Sequence, residues 1–142
     1  HTDSPSPMQA AEKLGAHGFG QASDQIVFAP KAQLTATIDN WGPYYIDKVG
    51  QVLDGTWTTG TYFGHMNDGS VQMAPFTNMP ADVAAKAQEV KDAITAGTYF
   101  GFAGPINKQD GTVFLKEGEV ATREQLDTMM FYVEGIDARF PG

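Results

Sequence analysis

The stretch between Pro80 and Gly97 constrains the fold more than any other part of the chain. Val83, Ala87, Val90 and Ile94 recur there every three or four residues, while Lys86, Glu89 and Lys91 fall on the other side. Pro80 stands at the entry and Gly97 at the exit, so the spacing predicts an amphipathic helix with a buried apolar stripe facing a core. A second helix is predicted after Gly42-Pro43, where Tyr45, Val49, Val52 and Leu53 form the stripe and Asp54-Gly55 the stop. A shorter one opens the chain: Ser4-Pro5-Ser6-Pro7 supplies cap oxygens and a first-turn proline ahead of Met8, Ala11 and Leu14, and Gly15 closes it.

Helices that are apolar on one stripe need a sheet or further helices to cover that stripe. The best strand candidates are residues 17–21 and 33–38, with an aperiodic loop carrying Ser23-Asp24 and Ala29-Pro30 between them. Residues 62–66 and 71–76 flank Asn67-Asp68-Gly69-Ser70, which predicts a hairpin. Residues 101–106 and 112–115 flank Gln109-Asp110-Gly111 in a second hairpin-like arrangement, and Thr122-Arg123-Glu124-Gln125 offers a capping box for a last short helix. The tail from 131 to 136 reads as extended. Alternating helices and strands followed by hairpins make the class α/β with antiparallel additions.

Charge and composition exclude several functions. A chain of 142 residues has room for one ordinary domain and core. Seventeen acidic against nine basic side chains give a net charge of -8, which repels phosphate backbones and anionic headgroups, so neither nucleic acid nor a lipid surface is an expected partner. No apolar run approaches the roughly 20 residues that span a bilayer. The absence of cysteine rules out disulfides, thiolate metal sites and cysteine nucleophiles. His1, His17 and His65 share no metal-ligand spacing, and no nucleophile elbow, P-loop or dinucleotide fingerprint is present. No cofactor is expected. The chain opens at His1 with no methionine and no leader, and it reads as a fragment.

Polar clusters stand where predicted strands end: Thr2-Asp3-Ser4, Gln21-Ala22-Ser23-Asp24 and Asp39-Asn40-Trp41. In open α/β sheets the carboxyl ends of strands and the following helix starts line the ligand crevice. The same residues also serve as helix caps and turn formers, and both readings stand on pattern alone. Trp41, beside Asp39, is placed to lend an aromatic face to a ligand, whereas Tyr45 is expected in the core.

The wording of several segments is recognisable: His1-Thr2-Asp3-Ser4-Pro5, Gly20-Gln21-Ala22-Ser23-Asp24-Gln25, Trp41-Gly42-Pro43-Tyr44-Tyr45, Val52-Leu53-Asp54-Gly55-Thr56-Trp57, Met73-Ala74-Pro75-Phe76 and Gly104-Pro105-Ile106. In this order they resemble the basic membrane protein family of bacterial solute receptors. The resemblance implies the carboxyl-terminal part of a type I periplasmic-binding-protein fold, with two α/β lobes joined by crossovers. Residues 1–142 then contribute to both lobes, and the amino-terminal part of the protein is absent. It also implies a receptor, not an enzyme, that takes a purine base or nucleoside outside the cytoplasmic membrane, in the periplasm or on the outer face, with or without a lipid anchor. An ABC permease is the implied partner.

Two departures from that family bear on the ligand. Nucleoside-binding relatives carry an acid in a G-x-D-S-D pattern and a lysine after the next strand, where this chain has Ala22 and Asp39. Loss of the acid removes the holder of a ribose hydroxyl pair, and a carboxylate in place of an ammonium is an acceptor-only group that suits the N–H-rich edge of adenine. On this reading Asp39 accepts from the base, Thr2 and Asp3 form a polar wall, Gln21 orients the ligand, and Trp41 stacks. Two other classes remain open from sequence: a nucleoside- or base-processing enzyme with Asp3 or Asp39 as general base, and a structural or signalling module that has lost solute binding.

Overall fold

The computed structural model describes residues 4–140, which form two compact units, one running to Ala96 and one beginning at Gly97. The chain is mixed α/β, with small sheets and four α-helices among the described residues.

The first unit opens with α1 (Ser6–Lys13), followed by β1 (Gly18–Gly20), a 3-10 turn (Ile26–Phe28), β2 (Gln33–Asp39), α2 (Gly42–Leu53), β3 (Val71–Met73) and α3 (Ala81–Thr95). Both α1 and α2 end where a glycine was expected to end them. Gly15 has φ +65° and Gly55 φ +69°. Their amides bond to Glu12 and Val52, and the next amides, of Ala16 and Thr56, reach back to Ala11 and Gln51 at 2.9 Å. That double closure needs a residue just past the helix in the left-handed region, which glycine adopts without a Cβ clash.

Parallel pairing joins β1 to β2, with Phe19 opposite Thr35 and Gly20 opposite Ala36. The small core sits beside them: Met8 of α1 with Ala29 and Ala32, and Ala11 partly buried against the group. A Cβ on Gly18 would lie 2.8 Å from the Met8 sulfur, so a side chain there would have to displace the end of the Met8 side chain. The interior of β2 is partly polar and fully bonded. Gln33 accepts from the Gln25 amide at 3.0 Å and donates to Asp24 at 2.7 Å. The Thr35 hydroxyl donates to the Ala74 carbonyl, and the Asn78 amide group donates to the carbonyls of Pro30 and Gln33.

Two expectations are corrected in this unit. The first is the hairpin around residues 67–70. Its turn exists, with Gly69 at φ +80° and the Asp68 carboxylate accepting from the His65 and Ser70 amides. Residues 62–66 form no strand, however, and β3 pairs antiparallel with β2 instead, Thr37 facing Met73 and Asp39 facing Val71. The regular seven-residue strand offers a longer ladder than the glycine-bearing arm next to the turn. The second concerns the helix stripes. Tyr45, Val49, Val52 and Leu53 of α2 are exposed, as are Val83, Val90 and Ile94 of α3, because no element of this unit covers them.

The second unit contains β4 (Ile106–Asn107) and β5 (Val113–Leu115), an antiparallel pair closed by Gly111 at φ +83°, then α4 (Arg123–Asp127). The expected capping box at α4 is formed in both directions: the Gln125 amide donates to the Thr122 hydroxyl and the Thr122 amide to the Gln125 side chain. The tail from 131 to 136, expected to be extended, forms no strand: it makes a single bridge, Val133 to Lys108, and then turns through Gly135 at φ +91°. Leu115 is this unit's buried anchor. No helix among the described residues is long and apolar enough to cross a membrane.

Candidate functional site

Because β1 and β2 are parallel, their carboxyl ends emerge on the same side, as the crevice argument requires. After Gly20 the chain turns through Gln21-Ala22-Ser23-Asp24, with Ala22 in the left-handed region at φ +63°. The loop is tied to β2 at two points. The Asp39 amide donates to the Ala22 carbonyl at 3.1 Å, and the Gln33 side chain donates to Asp24. Asp24 also accepts from the Ile26 amide and so opens the 3-10 turn. A third segment joins at the end of β2, where the Asn40 amide donates to the Ser70 carbonyl at 2.8 Å and its side chain to the Gly69 carbonyl.

A cavity of about 190 Å³ opens beside this loop, lined by Ser4, Pro5, Gln21, Ala22, Ser23, Gln25 and Phe28. Its polar groups come from the start of α1 and the end of β1, and Phe28 supplies an aromatic wall. The Gln21 side-chain amide makes no hydrogen bond among the described residues, while its backbone carbonyl accepts from the Gln25 side chain. Complete small-molecule sites usually measure roughly 300–1,000 Å³, so this cavity is smaller than such a site. No group of three or more histidine, aspartate or glutamate side chains that could hold a metal occurs among the described residues.

The six residues singled out from sequence divide into four cases. Gln21 and Ala22 line the cavity. Asp39 does not line the cavity: its backbone amide bonds the Ala22 carbonyl, and its exposed carboxylate accepts no hydrogen bond among the described residues. Trp41 does not line the cavity. It packs edge-on to Tyr44 with ring centroids 5.8 Å apart and lies 6.4 Å from Tyr62, which itself stacks on Tyr44 at 4.4 Å. Lys48 lies over the Tyr44 ring. These contacts make one exposed aromatic group beside the start of α2. Tyr45, expected in the core, belongs to it. Thr2 and Asp3 lie outside the described residues. Sequence reasoning missed Gln25 and Phe28 as lining residues. Gln25 sits in the same short loop as Gln21, which was a usable signal, whereas Phe28 lies in a 3-10 turn with no periodicity to expose it.

No protein-family model matches the chain. It is 52% identical over 141 residues to a purine-binding protein of Brucella abortus, an alignment that covers 99% of this chain. The chain spans 40% of the length of that relative. A crystal structure of a transcriptional activator of the comK gene from Bacillus halodurans superposes on 66% of the chain and 32% of its own, with a TM-score of 0.54 at 21% identity. At that identity the likeness is one of fold alone.

Proposed function

We propose that the chain is the carboxyl-terminal portion of a solute-binding receptor of the basic membrane protein family, with a type I periplasmic-binding-protein fold, that holds a purine base or nucleoside and hands it to an ABC permease. The observation that carries this reading is the 52% identity, over nearly the whole chain, to a purine-binding protein 40% of whose length it spans. The division into two compact units is in keeping with a contribution to both lobes. The cavity beside Gln21 and Ala22 is small because the rest of the cleft comes from the other portion. The motif resemblance alone supports the permease and a place outside the cytoplasmic membrane.

Adenine is the favoured ligand. Asp39 offers an acceptor without a donor, Gln21 offers both, and no acid stands at Ala22 to take a ribose hydroxyl pair. The chain acts as a receptor and does no chemistry on the ligand, which is gripped by hydrogen bonds as the lobes close.

The test uses a single chain in which these 142 residues replace the matching stretch of the Brucella relative. Calorimetric titration with adenine, guanine, adenosine and inosine should rank adenine first, and Asp39→Asn should weaken adenine binding about tenfold or more, as expected for losing a charged acceptor. Inosine binding more tightly than adenine, or an unchanged adenine affinity in the variant, refutes the ligand assignment. Chromatography of adenosine after incubation should return it intact. Released base would make the protein an enzyme.

A further inference from the structure

Helix α2 carries Tyr45, Ile46, Val49, Val52 and Leu53 along one side, the i, i+1, i+4, i+7, i+8 pattern of a helix built to be covered. All five are exposed, Ile46 to 76% and Leu53 to 81%. The polar residues of the helix have found partners of their own: Gln51 bonds Asp47 and Lys48, and Lys48 pairs with Asp47. On the apolar side only Tyr45 has ring contacts, with Trp41 and Tyr44 beside it, and no element among the described residues covers the stripe.

Total surface makes the same point. The chain exposes 10166 Å². A compact monomer of its mass exposes about 7,100 Å², and two separately compact pieces of 96 and 46 residues together expose about 8,500 Å² by the same scaling. An excess on the order of 1,500 Å² remains over two compact pieces, and the exposed large apolar side chains, those of α2 among them, contribute to it.

We infer that the α2 stripe is the docking face for polypeptide of the kind that makes up the other 60% of the purine-binding relative, so that Tyr45, Ile46, Val49, Val52 and Leu53 become core in the larger receptor. The occupant is an apolar surface of that portion. A second copy of this chain is disfavoured, since pairing two chains of charge -8 adds repulsion where the relative already offers a cognate portion. This rests on the reading of the chain as one portion of a larger receptor, and not on which purine is bound.

The chain has no cysteine, so Ile46→Cys or Val49→Cys introduces one reporting thiol, and Glu89→Cys gives an exposed control on α3. Maleimide labelling is followed in the isolated 142-residue chain and in the substituted full-length chain on a cysteine-free background. In the isolated chain all three thiols should react at similar rates. In the full-length chain the α2 thiols should react at least about 100-fold more slowly, through rare local opening, while the control is unchanged. Equal rates in the two settings overturn the proposal. So does slow labelling of the isolated chain with a dimer mass by sedimentation, which would make a second copy the occupant. Adenine titration of the same full-length chain reads the other question: protected α2 thiols without purine binding uphold the docking face and sink the ligand, and binding with unprotected thiols does the reverse.

Discussion

The amide of Asp39 donates to the carbonyl of Ala22 at 3.1 Å, and through this bond the last residue of β2 fixes the loop that follows β1. Ala22 meets that partner in the left-handed region, at φ +63°, where an alanine Cβ crowds the backbone. Ala22→Gly should therefore stabilise the protein by up to about 1 kcal/mol, the relief of the Cβ crowding less the extra chain entropy of glycine. Urea unfolding checks it: the midpoint should rise at constant slope, and a fall would mean the Cβ contributes packing that outweighs the strain.

The same loop leaves β1 at Gly20, where there is no space for a side chain. A Cβ there would lie 2.7 Å from that of Ala36, 2.9 Å from the Gln33 amide oxygen and 3.2 Å from the Ser23 carbonyl. Gly20→Ala must push β1 away from β2 or tilt the loop, and should cost about 1–3 kcal/mol as overpacking does. A thermal midpoint within error of the parent would show that the strands separate easily at that end.

Local chemistry explains which parts of the fold were legible. Gly15, Gly55 and the Thr122/Gln125 pair act within a few residues of themselves, and each ended or began a helix where sequence placed it. Pairing of β3 was not legible, because the Asp68 turn and the partner strand are set by different parts of the chain and the hairpin rule weighs only the first. Stripe periodicity located α2 and α3 correctly but misjudged Tyr45 and Val49, since a period reveals that a face is meant to be covered and not by what. In the site, Gln21 and Ala22 followed from the parallel strand ends, while the turn of Trp41 toward Tyr44 depends on packing with Tyr62 that no local pattern encodes.

Asp68 gives the turn a pH signature. The Ser70 hydroxyl, then the Ser70 amide, hold its carboxyl below the usual value of 3.8, with the His65 amide adding to them. A carboxylate depressed in the folded state stabilises the turn above the ordinary range, and that contribution is lost as pH falls through the folded value. NMR titration should find Asp68 with a midpoint below 3.8. Ser70→Ala should raise it, and exchange of the His65 and Ser70 amides should quicken only at the acid end. A midpoint at or above the usual value in the parent protein would contradict the turn geometry.

Gln33 joins the strand interior to the candidate site, and its substitution separates hydrogen bonding from charge. It is 1% exposed, accepts from the Gln25 amide and donates to the Asp24 carboxylate at 2.7 Å. Gln33→Leu keeps the bulk but leaves the Gln25 amide without an acceptor and Asp24 with only the Ile26 amide as donor, which should cost about 1–3 kcal/mol and loosen the loop bearing Gln21. Gln33→Glu retains the acceptor for Gln25 but places a second carboxyl against Asp24, and two such groups cannot both ionise cheaply. The folded pair should then hold a proton that the unfolded chain releases. Stability of this variant should be nearest the parent in acid and fall as pH rises through the ordinary carboxylate range, levelling off once the shared proton is lost. Urea midpoints of the two variants measured between acid and neutral pH decide the matter. The deficit of Gln33→Leu should vary little with pH and that of Gln33→Glu should grow, whereas parallel curves would mean that the Asp24 contact contributes nothing to holding the loop.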